Sequence, residues 1–269
     1  MRLPRKGDSP RNDPSMKSAI AAALLAVTAF SSDAQELRVL TYNIHHAEGT
    51  DGKLDVDRIV RVIRAAAPDV VCLQEVDRGL PRTQGLNLPR LFAEKLGMTA
   101  VFDANYRFDG GEYGNATFTR LPIVRHENIG LPNPNQKEPR GCLRTVIKLG
   151  DREIDILNTH LGLEGEERRQ QAEAIRQALR PVPAVLAGDL NENENAPGVR
   201  RLLEVLGDPA EGASQSLFTA SAAKPRRRID FILASKEFSP LSTQVIATPD
   251  TPVASDHLPF LAVLKLGAD

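Results

Sequence analysis

The sequence predicts a mixed α/β sandwich, and three observations carry that reading. Strand-like runs outnumber helical stretches. Many of those runs are neighbours across short turns, as hairpins are, which a purely alternating βαβ sheet does not produce. The chain has 269 residues, 41% hydrophobic and 26% charged, which suits one large core and excludes general disorder and a polytopic membrane protein.

The elements follow from local pattern. Leu37–Ile44 alternates and is rich in β-formers, predicting a first strand. Leu54–Ala66 places Val56, Ile59, Val60 and Ile63 at helical spacing, and Pro68 stops that helix. Asp69–Val76 reads as a buried strand ending in acidic residues, and Leu88–Leu96 as a helix closed by Gly97. Residues 98–130 hold two or three strands around the turn Asp109-Gly110-Gly111, and 131–141 is a loop rich in Pro and Asn. Cys142–Leu149 and Glu153–Thr159 form a hairpin around Gly150-Asp151. Glu164–Leu179 is a charged helix with Ala172, Ile175 and Leu179 inward. Ala184–Leu190 is a strand, Val199–Leu206 a short helix, and Ile229–Ala234, Ser242–Ala247 and Leu258–Leu266 are the last strands.

Ahead of these elements lies a segment with the order of a secretory signal. From Met16, Lys17 gives a positive start, Ala19–Phe30 is apolar, and Ser32-Asp33-Ala34 puts small residues where a signal peptidase reads. The apolar run falls short of the roughly 20 residues a membrane-spanning helix needs. Residues 1–34 are therefore expected to be an extension plus leader, with cleavage after Ala34 and a single catalytic domain over 35–269. Met16 alone begins a normal signal. The expected destination is the periplasm or the outside, with no stable membrane insertion afterwards. An oxidising compartment raises a Cys72–Cys142 bridge, but both lie in apolar strand-like runs, and buried free thiols are the favoured reading.

Charge and composition narrow the partners. With 34 Lys+Arg against 35 Asp+Glu the net charge is −1, so no global positive field serves nucleic acid. Trp is absent and aromatics are 4%, so base-stacking platforms are expected to be scarce.

Polar residues gather at the strand ends. Asn43 ends the first strand and Glu75 the second. His160 follows DILNTH, Asp189 and Asn191 end AVLAGDLN, Asp230 opens DFIL, and Asp256-His257 precede the last strand. Groups so mounted suit metal-assisted hydrolysis: oxygen donors for a hard cation such as Mg²⁺, a His able to take a proton from water, and an Asp to orient it.

The ordered set TYNIH, LQEVD, YGNA, NTHL, GDLN, RIDFIL and SDH resembles the endonuclease/exonuclease/phosphatase superfamily, from about Arg38 to Leu264. Its members include DNase I-like nucleases, apurinic endonucleases, inositol polyphosphate phosphatases and bacterial sphingomyelinases. The resemblance implies a DNase I-like four-layer α/β/β/α sandwich of two mixed, mostly antiparallel sheets, with the site at one edge. It implies a metal held by Glu75, with Asn43 beside it and Asp256 adding a direct or water-mediated contact. His257 would be the base or an electrostatic partner of the phosphate, and Asp230 its orienting carboxylate. Asp189 would bind the attacking water, leaving the base open between Asp189 and His257. Asn191 would donate to phosphoryl oxygens, and His160 would stabilise developing charge or assist the leaving oxygen. Asn115 would contact the phosphate or support the site. Mg²⁺ is the expected cofactor, with Mn²⁺ as alternative.

Other residues are read from local sequence. Arg140 precedes a strand where a guanidinium reaches a phosphate bidentately, and Arg144 shares its parity. Arg226–Arg228 is balanced between flanking the pocket and a solvated turn. His45 and His46 are taken as loop residues, His126 as structural, and Gly49–Gly52 as a flexible loop over the site. The expected activity is an exported, metal-dependent phosphoesterase acting as a monomer. Small organic phosphate esters rank first, nucleic acid second and phospholipid third. A non-catalytic binding module on the same fold is the alternative class. Without HExxH or GxSxG, zinc-protease and serine-hydrolase readings fail.

Overall fold

A computed structural model describes residues 35–213 and 217–267. The expected leader in residues 1–34 lies outside them. Eleven strands are defined there: β1 Glu36–Asn43, β2 Val70–Arg78, β3 Thr99–Phe108, β4 Gly111–Thr119, β5 Ile123–Gly130, β6 Gly141–Leu149, β7 Arg152–His160, β8 Ala184–Asp189, β9 Asp230–Ala234, β10 Phe238–Val245 and β11 Phe260–Leu266. The helices are α1 Val56–Ala66, α2 Leu88–Leu96, α3 Gly165–Ala178, α4 Pro197–Leu203 and the single turn α5 Thr251–Ala254.

The strands form two sheets, ordered β10-β11-β1-β2-β4-β3 and β5-β6-β7-β8-β9. Two neighbouring pairs are parallel, β1–β2 across α1 and β7–β8 across α3; every other pair is antiparallel. Three apolar layers hold the sandwich together by removing surface from water. The first packs α1 and α2 on one sheet through Leu40, Tyr42, Ile63, Phe92 and Phe118. The second lies between the sheets and contains Val39, Val70, Ile154, Val185 and Phe260. The third packs α3 and α4 on the other sheet through Leu157, Ala172, Ile175, Leu202 and Phe231. This is the four-layer α/β/β/α sandwich of the DNase I-like fold.

Local chemistry sets the element ends. Asp55 caps α1 by accepting from Arg58 N, so the helix starts after Leu54, and Ala67 ends it in a left-handed conformation before Pro68. Asn87 caps α2, and Gly97 closes it at φ +64°. Pro197 opens α4 two residues ahead of the expected start, as proline does in a first turn. Residues 98–130 resolve into three strands, and β10 begins at Phe238, ahead of the expected Ser242.

Strand parity decides two further expectations. Cys72 points between the sheets, whereas Cys142 faces the α3 layer; both are buried and free. Arg144 follows Cys142 onto the α3 side, where it pairs with Glu127 and Asp155 and donates to Ala178 O. Arg140 lies before the strand begins, so alternation does not carry Arg144 to the same place. The Gly49–Gly52 turn is no cover for a site. Arg58 fastens it through Asp51 and Val253 O at 3.0–3.2 Å.

No helix among the described residues is long and apolar enough to cross a membrane.

Candidate active site

The inter-sheet layer is apolar along most of its length and polar at one end. On β1 the inward residues run Val39, Thr41, Asn43; on β2, Val70, Cys72, Gln74; on β7, Ile156, Asn158, His160; on β8, Val185, Ala187, Asp189. The same alternation that builds the core thus delivers polar side chains to one rim. Buried amides tie the rim across both sheets. Asn158 Nδ2 donates to Leu73 O and Ala116 O at 3.1 and 2.9 Å, and Gln74 Nε2 donates to Asn158 Oδ1 at 2.8 Å. Such groups cost stability if left unpaired, so the network fixes the spacing of the two sheets.

Glu75 reaches the rim through a bulge. Register slips between Leu73 and Val76, so Gln74 and Glu75 together oppose Asn115, and Glu75 sits at φ +59°. A bulge re-aims a side chain that strict alternation would send elsewhere. Asn43 Nδ2 then bridges two carboxylates, donating to Glu75 Oε1 at 2.9 Å and Asp189 Oδ2 at 3.1 Å. Its own oxygen accepts from His45 N. Asn43 is therefore placed as a bridge, with its amide NH2 toward the two carboxylates and its oxygen turned to His45 N, away from the ligand position expected of it. Asp256 is exposed, after α5, and Ser255 Oγ ties that turn to Asn43 O at 2.8 Å. Glu75 has no ion-pair partner among the described residues. Two carboxylates facing one opening are the hard oxygen donors a divalent cation takes.

Behind them lies a proton-holding group. His257 Nδ1 is 2.9 Å from Asp230 Oδ2, and His257 Nε2 is 3.6 Å from Asp189 Oδ2. Burial opposes a charge on His257, but the Asp230 carboxylate, by charge and hydrogen bond, and then Asp189 outweigh it and raise the imidazole. Burial and the neighbouring Asp230 raise Asp189. Asp189, Asp230 and His257 present ligand atoms within 4.8 Å of one another, a spacing that also suits a metal. The hydrogen bond already made by His257 Nδ1 favours proton holding there.

His160 is the opposite case. Burial, then Arg140, then His257 push it well below its ordinary value, so it is neutral. Arg140 Nη1 lies 2.9 Å from His160 Nδ1, and a guanidinium can only donate. With Nδ1 accepting, the single ring proton is on Nε2, which faces Asp189 Oδ2 at 3.4 Å; Asn191 Nδ2, 3.0 Å from Nε2, is likewise a donor and makes no hydrogen bond to it in this tautomer. Asn191 sits at φ +54°, its backbone N–H donating to Asp189 Oδ1 and its side chain to Leu161 O.

These groups open onto a cleft of about 500 Å³. Asn43, Glu75, Arg140, His160, Asp189, Asn191, Asp256 and His257 line it, and Asp230 stands behind His257. Asn115 does not reach it. The residue is 2% exposed and its amide donates to Gly141 O and Asn158 O, so it supports the rim and does not face the cleft. Of the arginine run only Arg227 lines the cleft; Arg228 is paired with Asp208. His45 and His46, expected in a loop, line it from a tight turn in which His45, His46 and Ala47 all have positive φ. Sequence reading missed Arg82, Tyr106, Phe108, Tyr113 and Glu138. Arg82 is held by Asp77, the last residue of LQEVD, at 2.7 and 2.8 Å, which is the one signal that pointed to it.

Comparisons with known proteins agree with this geometry. A protein from Escherichia coli K12 named YbhP is 28% identical over 170 residues, covering 58% of this chain and 66% of that protein. The crystal structure of an endonuclease/exonuclease/phosphatase from Beutenbergia cavernae superposes with TM-score 0.76 at 28% identity, covering 87% of this chain and 72% of that one. A Bacteroides thetaiotaomicron structure named mannosyl-6-phosphatase Bt3783 shares the fold at TM-score 0.71 and 20% identity, covering 85% and 99%. Residues 40–257 match the model of the endonuclease/exonuclease/phosphatase family, the span that holds every cleft residue described above, and the chain belongs to that family.

Proposed function

We propose that the chain is a divalent-metal-dependent phosphoesterase that hydrolyses small organic phosphate esters by in-line attack of water. The observation that carries this reading is the meeting of Glu75, the His257–Asp230 pair, Asp189 and the Arg140–His160 pair in one cleft. Members of the family are generally hydrolases of phosphoester bonds.

Glu75 and Asp256 would hold the cation, Mg²⁺ first and Mn²⁺ second; when bound it supplies positive charge to phosphoryl oxygens and lowers the cost of ionising water. The chain's own residues do the rest. Arg140, His160 Nε2–H and Asn191 Nδ2 are donors fixed before substrate arrives, and preorganised donors are worth most where charge develops. Asp189 and His257 orient water and one of the two takes its proton, while Asp230 keeps the imidazole in one tautomer. Asn43 keeps the Glu75 and Asp189 carboxylates apart at a fixed spacing.

A cleft of about 500 Å³ suits a small molecule better than a nucleic-acid duplex, and the near-zero net charge supplies no global positive field. The name of the Bt3783 neighbour, a sugar phosphatase, favours the same class. Export and a monomeric state remain part of the proposal. The test is a hydrolysis panel on the purified protein with a phosphate monoester, a diester, plasmid DNA and sphingomyelin, each with Mg²⁺ and with chelator. Chelator-sensitive turnover, best on a small ester, is the expected result. Best turnover on DNA or sphingomyelin would overturn the substrate assignment, and no turnover on any of them would favour a binding module.

A further inference from the structure

Beside the phosphate-facing groups the cleft has an aromatic wall. Tyr106 and Phe108, two residues apart near the end of β3, stack with ring centroids 4.8 Å apart and planes 28° from parallel. Arg82 lies against Phe108 at 5.5 Å and against Tyr113 at 5.2 Å, while Asp77 holds its guanidinium. Tyr113 in turn touches Arg140 and Glu138. The wall therefore runs from the phosphate end at Arg140 to the rim at Tyr106, which is 38% exposed. Aromatic residues are only 4% of the chain, and two of its three tyrosines stand here. A surface Tyr stacked on a second ring is rigid, and its open face costs little entropy to use.

From this placement we propose that the Tyr106–Phe108 pair is the binding subsite for the organic part of the ester, and that this part carries a flat aromatic or heteroaromatic ring. The proposal rests on the phosphoesterase reading and names its substrate class. A phosphate held by Arg140 leaves most of a 500 Å³ cleft to the group esterified to it, and a ring on Tyr106 would fill the outer part. Insertion of the hairpin into a lipid surface is the weaker alternative. Its tip carries Arg107, Asp109 and Glu112, and Glu112 is paired with both Arg107 and Arg78; burying those charges in lipid is costly.

The test uses two ligands that differ only by a ring, adenosine 5′-monophosphate and ribose 5-phosphate. Calorimetry on the full chain, with Mg²⁺ and separately with chelator, compares wild type, Tyr106→Phe and the double variant Tyr106→Ala/Phe108→Ala. Wild type is expected to bind the ring-bearing ligand about tenfold more tightly, the scale of one ring stack. Tyr106→Phe should keep that preference, and the double alanine variant, checked for unchanged thermal unfolding, should lose it. Equal affinity for both ligands in wild type, a preference that survives the double variant, or no measurable binding of adenosine monophosphate would each overturn the proposal. So would binding to phosphatidylcholine–sphingomyelin vesicles that is lost in the double variant. Ring preference without hydrolysis of any ester would refute the phosphoesterase reading alone, whereas hydrolysis without ring preference would refute this subsite alone.

Discussion

His257 Nδ1 lies 2.9 Å from Asp230 Oδ2, and both residues are buried, Asp230 completely. The carboxylate does two things to the ring: it fixes which nitrogen faces the cleft, and it raises the imidazole to about 10 against the opposing effect of burial. Asp230→Asn removes the charge and keeps the shape. The His257 pKa should therefore fall toward its ordinary value, and the acid limb of the rate profile should move to lower pH. The maximal rate should drop by about 10²-fold or more as the ring loses its orienting partner. A pH–kcat profile of both proteins reads the two effects together. An unmoved acid limb would show that His257 is not the titrating group.

Glu75 reaches the cleft only because the β2 bulge re-aims it, and among the described residues it makes no ion pair. Glu75→Gln should raise the metal concentration needed for half-maximal activity by about tenfold or more, since a hard cation loses one anionic donor. Metal binding measured by calorimetry should weaken in parallel. Unchanged metal affinity would place the cation elsewhere, with the Asp189–Asp230–His257 trio as the next site to test.

Asn158 rivets the sheets through Leu73 O and Ala116 O. Asn158→Ala strands both carbonyls and Gln74 in a buried layer. The expected cost is about 3 kcal/mol in urea unfolding, above the usual effect of a point change. A cost near zero would mean that water replaces the amide and the sheets are held by their apolar layer alone.

His46 sets a pH signature on stability. Burial, then Arg82, then His45 lower it from 6.5 to about 4. The unfolded chain then binds a proton that the folded chain refuses, so this contribution is whole above about 6.5 and is lost as pH falls toward 4. Replacing His46 by Gln removes the group from that balance. The stability of the variant relative to wild type should rise as pH falls from 6.5 to 4, read from urea midpoints across that range. Parallel curves would show that His46 titrates alike in both states.

Much of the site is legible in the sequence because it is built on periodicity. Val39, Thr41 and Asn43, or Val185, Ala187 and Asp189, alternate along one face, so an apolar core and a polar rim are written into the same strand. Glu75, Asn191 and the His45–Ala47 turn are harder, since each uses a positive φ that no composition signal marks. Asn115 belongs to a matching motif, yet its amide is spent on Gly141 O and Asn158 O; sequence names the residue but not its hydrogen-bond partners. The aromatic wall is illegible because Tyr113 meets Tyr106 and Phe108 from across a hairpin, and Arg82 comes to them from a separate segment. Their scarcity in the composition pointed away from a stacking surface that their placement creates.

The most direct measurement is steady-state hydrolysis of one phosphate monoester by wild type and His257→Ala, each with Mg²⁺ and with chelator. Wild-type turnover should vanish with chelator, and the variant should fall by about 10²- to 10⁴-fold in kcat, the range removal of a positioned acid–base group produces, with its fold unchanged by circular dichroism. Turnover that survives both chelator and His257→Ala would contradict the assignment of this cleft as the catalytic site.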